Sequence, residues 1–356
     1  MSNIITCEQV SSGHPDKICD QIADAVVVDC LRHDRSSRVA IEVLIKDYDI
    51  IIAGELTSSH SPDYVALVSD VFVRIGEETL GYDVSRFRIQ VLVSRQSPDI
   101  ALGVDAGGAG DQGMMFGWAS NETPELLPVP FVLAGKFLEK LEGERKNGTL
   151  FCADAKAQVS FDYDSGRIKT FLCSTQTAPG AVLPAVKKTV GSLMRQVALD
   201  YGLNTDFEIL VNPTGRFEIG SPFADSGVTG RKLACDTYGG VGHIGGGAMS
   251  GKDPSKVDRS GAYITRKIAR DIVAAGYADK CEVQVAYAIG VAEPVSVHVE
   301  CFGTEHQDRR FIEAYIRENY DLRPKSVIEA LGLLDVDYNQ VSSGGHFGKA
   351  GLPWEM

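Results

Sequence analysis

The chain has 356 residues, with 35 basic against 48 acidic side chains and a formal net charge of −13 at pH 7. Hydrophobic residues make up 44%, enough for two or three domains with sizeable cores and too many for a disordered polypeptide. A chain this acidic is a poor sequence-independent nucleic-acid binder, because that binding depends on Lys and Arg neutralising phosphates, so no nucleic-acid partner is expected.

The eight cysteines, at positions 7, 19, 30, 152, 173, 235, 281 and 301, form no CxxC pair. They read as reduced, mostly buried thiols of a cytoplasmic protein, not as a zinc ribbon or redox motif. No stretch approaches 18 apolar residues, and no charged leader precedes an apolar run, so no membrane partner is expected either.

Along the chain, residues 11–17 read as a helix start, with Pro15 at the first helical position and Ile18, Ile22, Ala25 and Val26 recurring at helical spacing. His14, Asp16 and Lys17 are thereby presented at a helix N-terminus, where the dipole and free N–H groups favour anions. The plainer alternative is that His14 caps the helix and Asp16 complements the dipole. Residues 38–46 alternate as a strand, and a turn at 46–49 folds them against a second strand over 50–53, closed by Gly54-Glu55. Glu42 and Glu55 are site carboxylates or members of a solvated sheet face.

A helix over 65–76 and a strand over 87–94 follow. The run from Arg95 holds five glycines between 103 and 113; 97–112 is a candidate mobile loop, and a domain linker has the same composition. Further on, the spacing predicts a helix over 130–144, strands over 159–163 and 167–174 around the turn 164–166, a helix over 181–199 and a strand over 208–211. Residues 212–217 form a turn with Arg216 and an exposed Phe217 at its tip, and 225–232 combine glycines, Asp225, Arg231 and Lys232. The chain continues with a helix over 262–275, strands over 282–288 and 295–301, and a helix over 309–319.

The run 245–260 concentrates the chemistry. Gly245, Gly246, Gly247 and Gly251 let backbone N–H groups approach an anion. Lys252, Lys256 and Arg259 add cationic donors, and Asp253 and Asp258 offer oxygens to a hard metal such as Mg²⁺. Those are the requirements of a polyphosphate–Mg²⁺ group. Gly246-x4-Gly251-Lys252 departs from a P-loop at Asp253, where Ser or Thr is needed, and Gly240-x-Gly242-x-x-Gly245 lacks the prompt helix of a dinucleotide fingerprint. A flexible glycine-rich surface loop is the bland reading of the run.

The elements recur as helix, hairpin, helix and strand about three times. That pattern predicts an α+β fold of three pseudo-repeated domains, each a mixed sheet with helices on one face. Linear boundaries fall at 1–98, 107–222 and 223–356, with the site expected between units or between subunits.

Taken together, Gly13-His-Pro-Asp-Lys17, Gly54-Glu55, Gln96-Ser-Pro-Asp99, Gly108-Ala-Gly-Asp-Gln-Gly113 and Asp154-Ala-Lys156 resemble, in order, the motifs of the S-adenosylmethionine synthetase (methionine adenosyltransferase) family. So do Asn212-Pro-Thr-Gly-Arg-Phe217, Thr229-Gly-Arg-Lys232, the run 245–260, Gly290-Val-Ala-Glu-Pro294 and His346-Phe-Gly348. The resemblance implies that methionine sulfur attacks C5′ of ATP and expels tripolyphosphate, which is then hydrolysed to phosphate and diphosphate. It also implies Mg²⁺, two per site, and K⁺ as cofactors, and a homodimer with interfacial sites, paired into a homotetramer with interleaved domains.

Position by position, the resemblance places His14 beside the ribose 5′ oxygen, and His14, Lys156, Arg231 and Lys252 among the catalytic groups. ATP contacts would come from Asp154, Lys156, Arg216, Phe217, Asp225, Arg231, Lys232, Ala248 and Lys252, with Phe217 at the adenine-stacking position. Methionine would meet Glu55, Gln96, Asp225 and Lys256. Asp16 and Asp258 look like Mg²⁺ ligands, Glu42 with the Ser250 carbonyl like the K⁺ site, and Asp111 like a further loop carboxylate near the metal. The chain departs from many relatives in a shorter 96–113 run and a shorter tail after His346-Phe-Gly348.

Overall fold

The computed structural model describes residues 3–76, 83–96 and 108–356. In chain order its principal elements are β1 (Ile4–Val10), α1 (Pro15–His33), β2 (Arg38–Lys46), β3 (Asp49–Thr57), α2 (Tyr64–Ile75), β4 (Arg88–Ser94), β5 (Gly113–Ser120) and α3 (Val129–Asn147). They continue with β6 (Phe151–Asp162), β7 (Arg167–Thr177), α4 (Leu183–Asp200), β8 (Glu208–Val211), β9 (Gly227–Val228), α5 (Val257–Ala274), β10 (Lys280–Tyr287), β11 (Ser296–Glu300), α6 (Arg309–Asn319) and α7 (Pro324–Ala330). Positions 97–107 of the candidate mobile loop lie outside the described residues.

Three sheets result, ordered β1-β6-β7-β8, β4-β3-β2-β9 and β11-β10-β5. Two are mixed, since β3 runs parallel to β4 and β7 parallel to β8 while their other pairings are antiparallel; the third is antiparallel throughout. Each sheet draws strands from distant parts of the chain. β1 pairs with β6 from Ile4↔Asp162 to Val10↔Lys156, β9 adds to β2, and β5 pairs with β10.

Alternation in β2 buries Val39, Ile41, Val43 and Ile45 against α1, whose Ile18, Ile22 and Val26 are fully enclosed. A separate core gathers Leu133, Phe137 and Leu141 of α3 with Val159, Phe171 and Cys173 of the first sheet and Val186, Val190 and Met194 of α4. Helix α5 packs so closely on β5 that a Cβ at Gly117 would lie 2.0 Å from the Thr265 carbonyl carbon, which only glycine permits. Beneath α5 the C-terminal segment closes the core: the Trp354 ring stacks on Tyr263 at 3.6 Å, and its indole donates to the His346 carbonyl.

Helices start and stop near their expected positions, but several strands run further. β3 continues through Gly54 and Glu55 to Thr57, and β6 begins at Phe151, so Asp154 and Lys156 belong to a strand rather than its approach. The α5 helix begins at Val257, which puts Asp258 and Arg259 in its first turn rather than in the glycine-rich loop. Strands β1 and β5 have no counterpart in the sequence reading.

Candidate active site

The first cluster forms around the N-terminus of α1. Ser11 Oγ donates to the Ala153 carbonyl at 2.6 Å and accepts from the Ala155 N–H at 2.7 Å, while Ser221 Oγ donates to the Gly13 carbonyl at 2.8 Å. These bonds clamp the turn carrying His14 against β6. His14 is the N-cap of α1, and its Nδ1 accepts from the Asp16 N–H at 3.2 Å. Burial, then the nearby Lys232 and Lys156 ammoniums, lower its pKa to about 3, so the imidazole is neutral near pH 7. Because Nδ1 is an acceptor there, the ring proton resides on Nε2.

Asp16 is buried; its Oδ1 accepts from the Val228 N–H at 2.9 Å, and its Oδ2 from Lys232 Nζ at 2.5 Å. Arg231 Nε lies 3.6 Å from Oδ1, with the Arg231 side chain 50% exposed. Burial opposes ionisation of Asp16, but the Lys232 bond, the Val228 N–H and the Lys232 charge outweigh it and hold the carboxyl below its usual value. Beside it, Asp154 Oδ2 accepts from the Ser221 N–H at 2.7 Å, whereas Oδ1 is buried without a hydrogen-bond partner among the described residues. Burial raises Asp154 to about 6, against the pull of the Ser221 N–H and Lys156. Lys156 and Asp225 stand exposed at the rim.

A second cluster lies where the glycine-rich run meets β2. Gly251 has a φ of +82°, and a Cβ there would come 2.0 Å from the Ile41 carbonyl oxygen, so glycine is required twice over. Ile41 N–H donates to the Gly251 carbonyl at 2.9 Å. Lys252 Nζ donates to Asp258 Oδ2 at 2.6 Å, with the side chains 19% and 23% exposed. The register pairs Ala40 with Glu55 and Glu42 with Ala53, which places both glutamates diagonally on one solvent face. Partial burial raises Glu42, with Lys252 opposing and Asp20 and Glu55 adding repulsion; the side chain keeps solvent access, so this push counts for less than at Asp154. Ser250 is buried, and its hydroxyl has no hydrogen-bond partner among the described residues.

Behind both clusters is a buried ionic layer that the sequence reading assigned elsewhere or missed. Lys17 does not face an anion at the helix N-terminus: its Nζ donates to Asp20 Oδ2 at 2.8 Å and to Asp236 Oδ1 at 2.5 Å, with all three side chains buried. Burial disfavours the ammonium, yet the two carboxylates hold Lys17 above its usual value. Arg259 does not reach an anion site either. Fully buried, it pairs with Asp24, and its Nε donates to the Met249 carbonyl at 2.8 Å, while Gly251 N–H donates to Asp24 Oδ1 at 2.9 Å.

Asp253 offers no free oxygen pair to a metal. Its Oδ2 accepts from the Val39 N–H at 2.7 Å and Lys256 Nζ at 2.5 Å, and Oδ1 accepts from the Ser255 N–H. Asp20 links the layers, since its Oδ1 accepts from the Gly230 N–H at 2.9 Å just before Arg231 and Lys232.

Other nominated residues make different contacts. Arg216 is exposed and pairs with Glu218; the Phe217 carbonyl accepts from the Thr177 N–H; Asp111 Oδ1 accepts from the Gln112 N–H; and Gln96 follows the end of β4. Ala248 is half-buried in the glycine-rich run. Among the described residues, no hydrogen bond or ion pair joins Arg216, Phe217 or Gln96 to either cluster. A cleft of about 860 Å³ between β11 and α6, lined by Val297, Ile316, Tyr320 and Arg323, involves none of these residues.

Fold and site together define a class: an α+β protein of three sheets with paired lysines and carboxylates at two part-buried clusters. Comparison with known proteins narrows it. Residues 2–98, 106–217 and 219–356 match the N-terminal, central and C-terminal domain models of S-adenosylmethionine synthetase. The S-adenosylmethionine synthase of Sorangium cellulosum (strain So ce56) is 44% identical, over 98% of this chain and 86% of that protein. The chain belongs to the S-adenosylmethionine synthetase family.

Proposed function

We propose that the chain is a methionine adenosyltransferase, converting ATP, L-methionine and water to S-adenosylmethionine, phosphate and diphosphate. The reading is carried by one observation: full-length membership of the family coincides with intact Lys232–Asp16 and Lys252–Asp258 pairs in the fold. The methionine thioether forms the new S–C5′ bond with its own lone pair as the C5′–O bond breaks, and the electron pair leaves on the triphosphate oxygen. Sulfur needs no activating base, so the protein's task is alignment and stabilisation of the departing charge.

His14 donates its Nε2–H to the 5′ oxygen as that oxygen gains charge. Its N-cap role fixes the tautomer, and its neutrality keeps the donor in place across physiological pH. Lys156, Arg231, Lys232 and Lys252 surround the triphosphate, with Asp154, Asp225 and Ala248 completing the nucleotide contacts and Phe217, beside Arg216, stacking on adenine. Glu55, Gln96, Asp225 and Lys256 hold methionine. Lys256, at the N-cap of α5, can release Asp253 to meet the substrate carboxylate.

Asp16 Oδ2 and Asp258 Oδ2 suit Mg²⁺, since each is a hard carboxylate oxygen held by a lysine ammonium that the triphosphate can draw away, whereas both Asp253 oxygens hold backbone N–H groups; Asp111 is a further candidate. Glu42 and the Ser250 carbonyl suit K⁺, next to a buried hydroxyl that lacks a partner among the described residues. Bound Mg²⁺, two ions per site, would screen and orient the triphosphate. From family membership we assign a homodimer with interfacial sites, paired into a homotetramer, and domains at 1–98, 107–222 and 223–356. Among the described residues, no helix is long and apolar enough to cross a membrane.

Purified protein incubated with ATP, L-methionine, Mg²⁺ and K⁺ is expected to give S-adenosylmethionine with equal phosphate and diphosphate. Accumulating tripolyphosphate would place a defect in the second step. ATP binding without any sulfonium product would overturn the reading in favour of a non-catalytic subunit.

A further inference from the structure

At the opposite end of α1 from the site, two imidazoles converge on one carboxylate. Asp29 and His33 sit one turn apart on the helix, and His60 arrives from the segment after β3. His60 Nε2 lies 2.7 Å from Asp29 Oδ2, and His33 Nδ1 lies 3.3 Å from Oδ1 and 2.9 Å from the Asp29 carbonyl. The two rings stack with centroids 4.0 Å apart and an interplanar angle of 15°. One ligand atom from each residue lies within 4.8 Å of the others.

The approach of His60 is held by a separate set of bonds. Asp34, just past the end of α1, accepts from the Ser36 N–H and Oγ through Oδ1, and from the Ser59 N–H and Oγ through Oδ2. Ser58 Oγ accepts from the His60 N–H at 3.0 Å and contacts Ser37 Oγ at 2.8 Å. The third ligand is therefore positioned by an outer shell that the ligands do not supply.

We propose that Asp29, His33 and His60 form a surface site for a borderline transition-metal dication of the Zn²⁺ class, separate from the nucleotide site. Two imidazoles and one carboxylate are a donor set for such an ion, whereas Mg²⁺ and K⁺ favour oxygen donors. The ion takes the place of the imidazole–carboxylate hydrogen bonds. Water fills its remaining positions, because the His33 side chain is 56% exposed. Binding ties the C-terminal end of α1 to the segment leading into α2, and so stabilises the folded state by mass action.

The test uses the intact enzyme in buffer with saturating Mg²⁺ and K⁺. Titration with Co²⁺ is expected to give visible d–d absorption at one ion per chain, abolished by Zn²⁺. His60→Ala and His33→Ala are each expected to weaken Zn²⁺ binding by at least about tenfold, since losing even an outer-shell partner costs about 10–100-fold. Their activity without added zinc should match the parent, which also reports that they fold. In the unmodified protein, of seven histidines, the ring signals of His33 and His60 are the ones expected to shift on adding Zn²⁺. Equal Zn²⁺ affinity in parent and variants, or Zn²⁺ shifting other histidines while sparing these two, would overturn the site.

Discussion

Two layers of charge lie one behind the other along α1, and neighbours in sequence fall on opposite sides of the divide. Asp16 meets Lys232 at the front, whereas Lys17 is sealed between Asp20 and Asp236. Lys252 and Asp258 form a pair that both still touch solvent, while the adjoining Asp253 and Arg259 are buried and hold backbone. Lys252 and Asp258 keep partial contact with water, so separating them strands neither charge in a dry interior. The Lys17 and Arg259 pairs, buried on both sides, cannot be exchanged: losing one partner strands a charge in the interior. Each of the two runs, 13–17 and 245–260, thus supplies both a half-open pair proposed for the chemistry and buried charges that hold the frame.

The sharpest way to separate the layers is to remove Arg259. Arg259→Ala leaves Asp24 buried and unpaired and releases the Met249 carbonyl, for an expected loss of about 3–5 kcal/mol of stability, read by denaturant unfolding. A change below 1 kcal/mol would erase the distinction drawn here.

A smaller effect is expected from His14, which belongs to the front layer yet is buried. Its folded pKa of about 3 lies below the ordinary histidine value of about 6.5, so the stability it contributes is complete above pH 6.5 and declines as pH falls towards 3. The unfolded chain takes up a proton that the folded chain refuses, worth roughly 1.4 kcal/mol per pH unit. His14→Ala should flatten that slope, and NMR titration should find the His14 ring neutral from pH 8 to 5. A ring titrating near 6.5 would contradict its assignment as a neutral donor.

Smallest is Glu42→Gln, at the outer edge of the second cluster. Affinity for activating K⁺ should fall by at least about tenfold, with stability close to the parent. An undiminished K⁺ response in the activity assay would move the monovalent site elsewhere.

Much of the fold was legible from local periodicity: α1 with its proline start, the β2–β3 hairpin, and α3, α4 and α6. Strands β1 and β5 were not, because each is short and its partner lies far along the chain; β5 also carries two glycines, and the need for one of them appears only once Thr265 packs over it. The motif runs held the carboxylates and lysines of the site, and those residues fall into two clusters. What sequence could not show is direction. Whether Lys17 or Asp16 faces outward depends on Asp236, 219 positions from Lys17, and Arg259 turns inward because Asp24, on another helix, waits there. Asp20, Asp24 and Asp236 carried no signal beyond Asp20 and Asp24 following Asp16 at four-residue intervals along α1.

The most direct test of the two-layer account is Lys252→Ala, followed by single-turnover kinetics, ATP binding and thermal unfolding. The account predicts that adenosyl transfer slows by about 10²–10³, as for loss of one preorganised charge-stabilising donor, with ATP affinity within a few-fold and the unfolding midpoint unchanged. Transfer at the parent rate, or a loss of activity that only tracks a loss of stability, would contradict it.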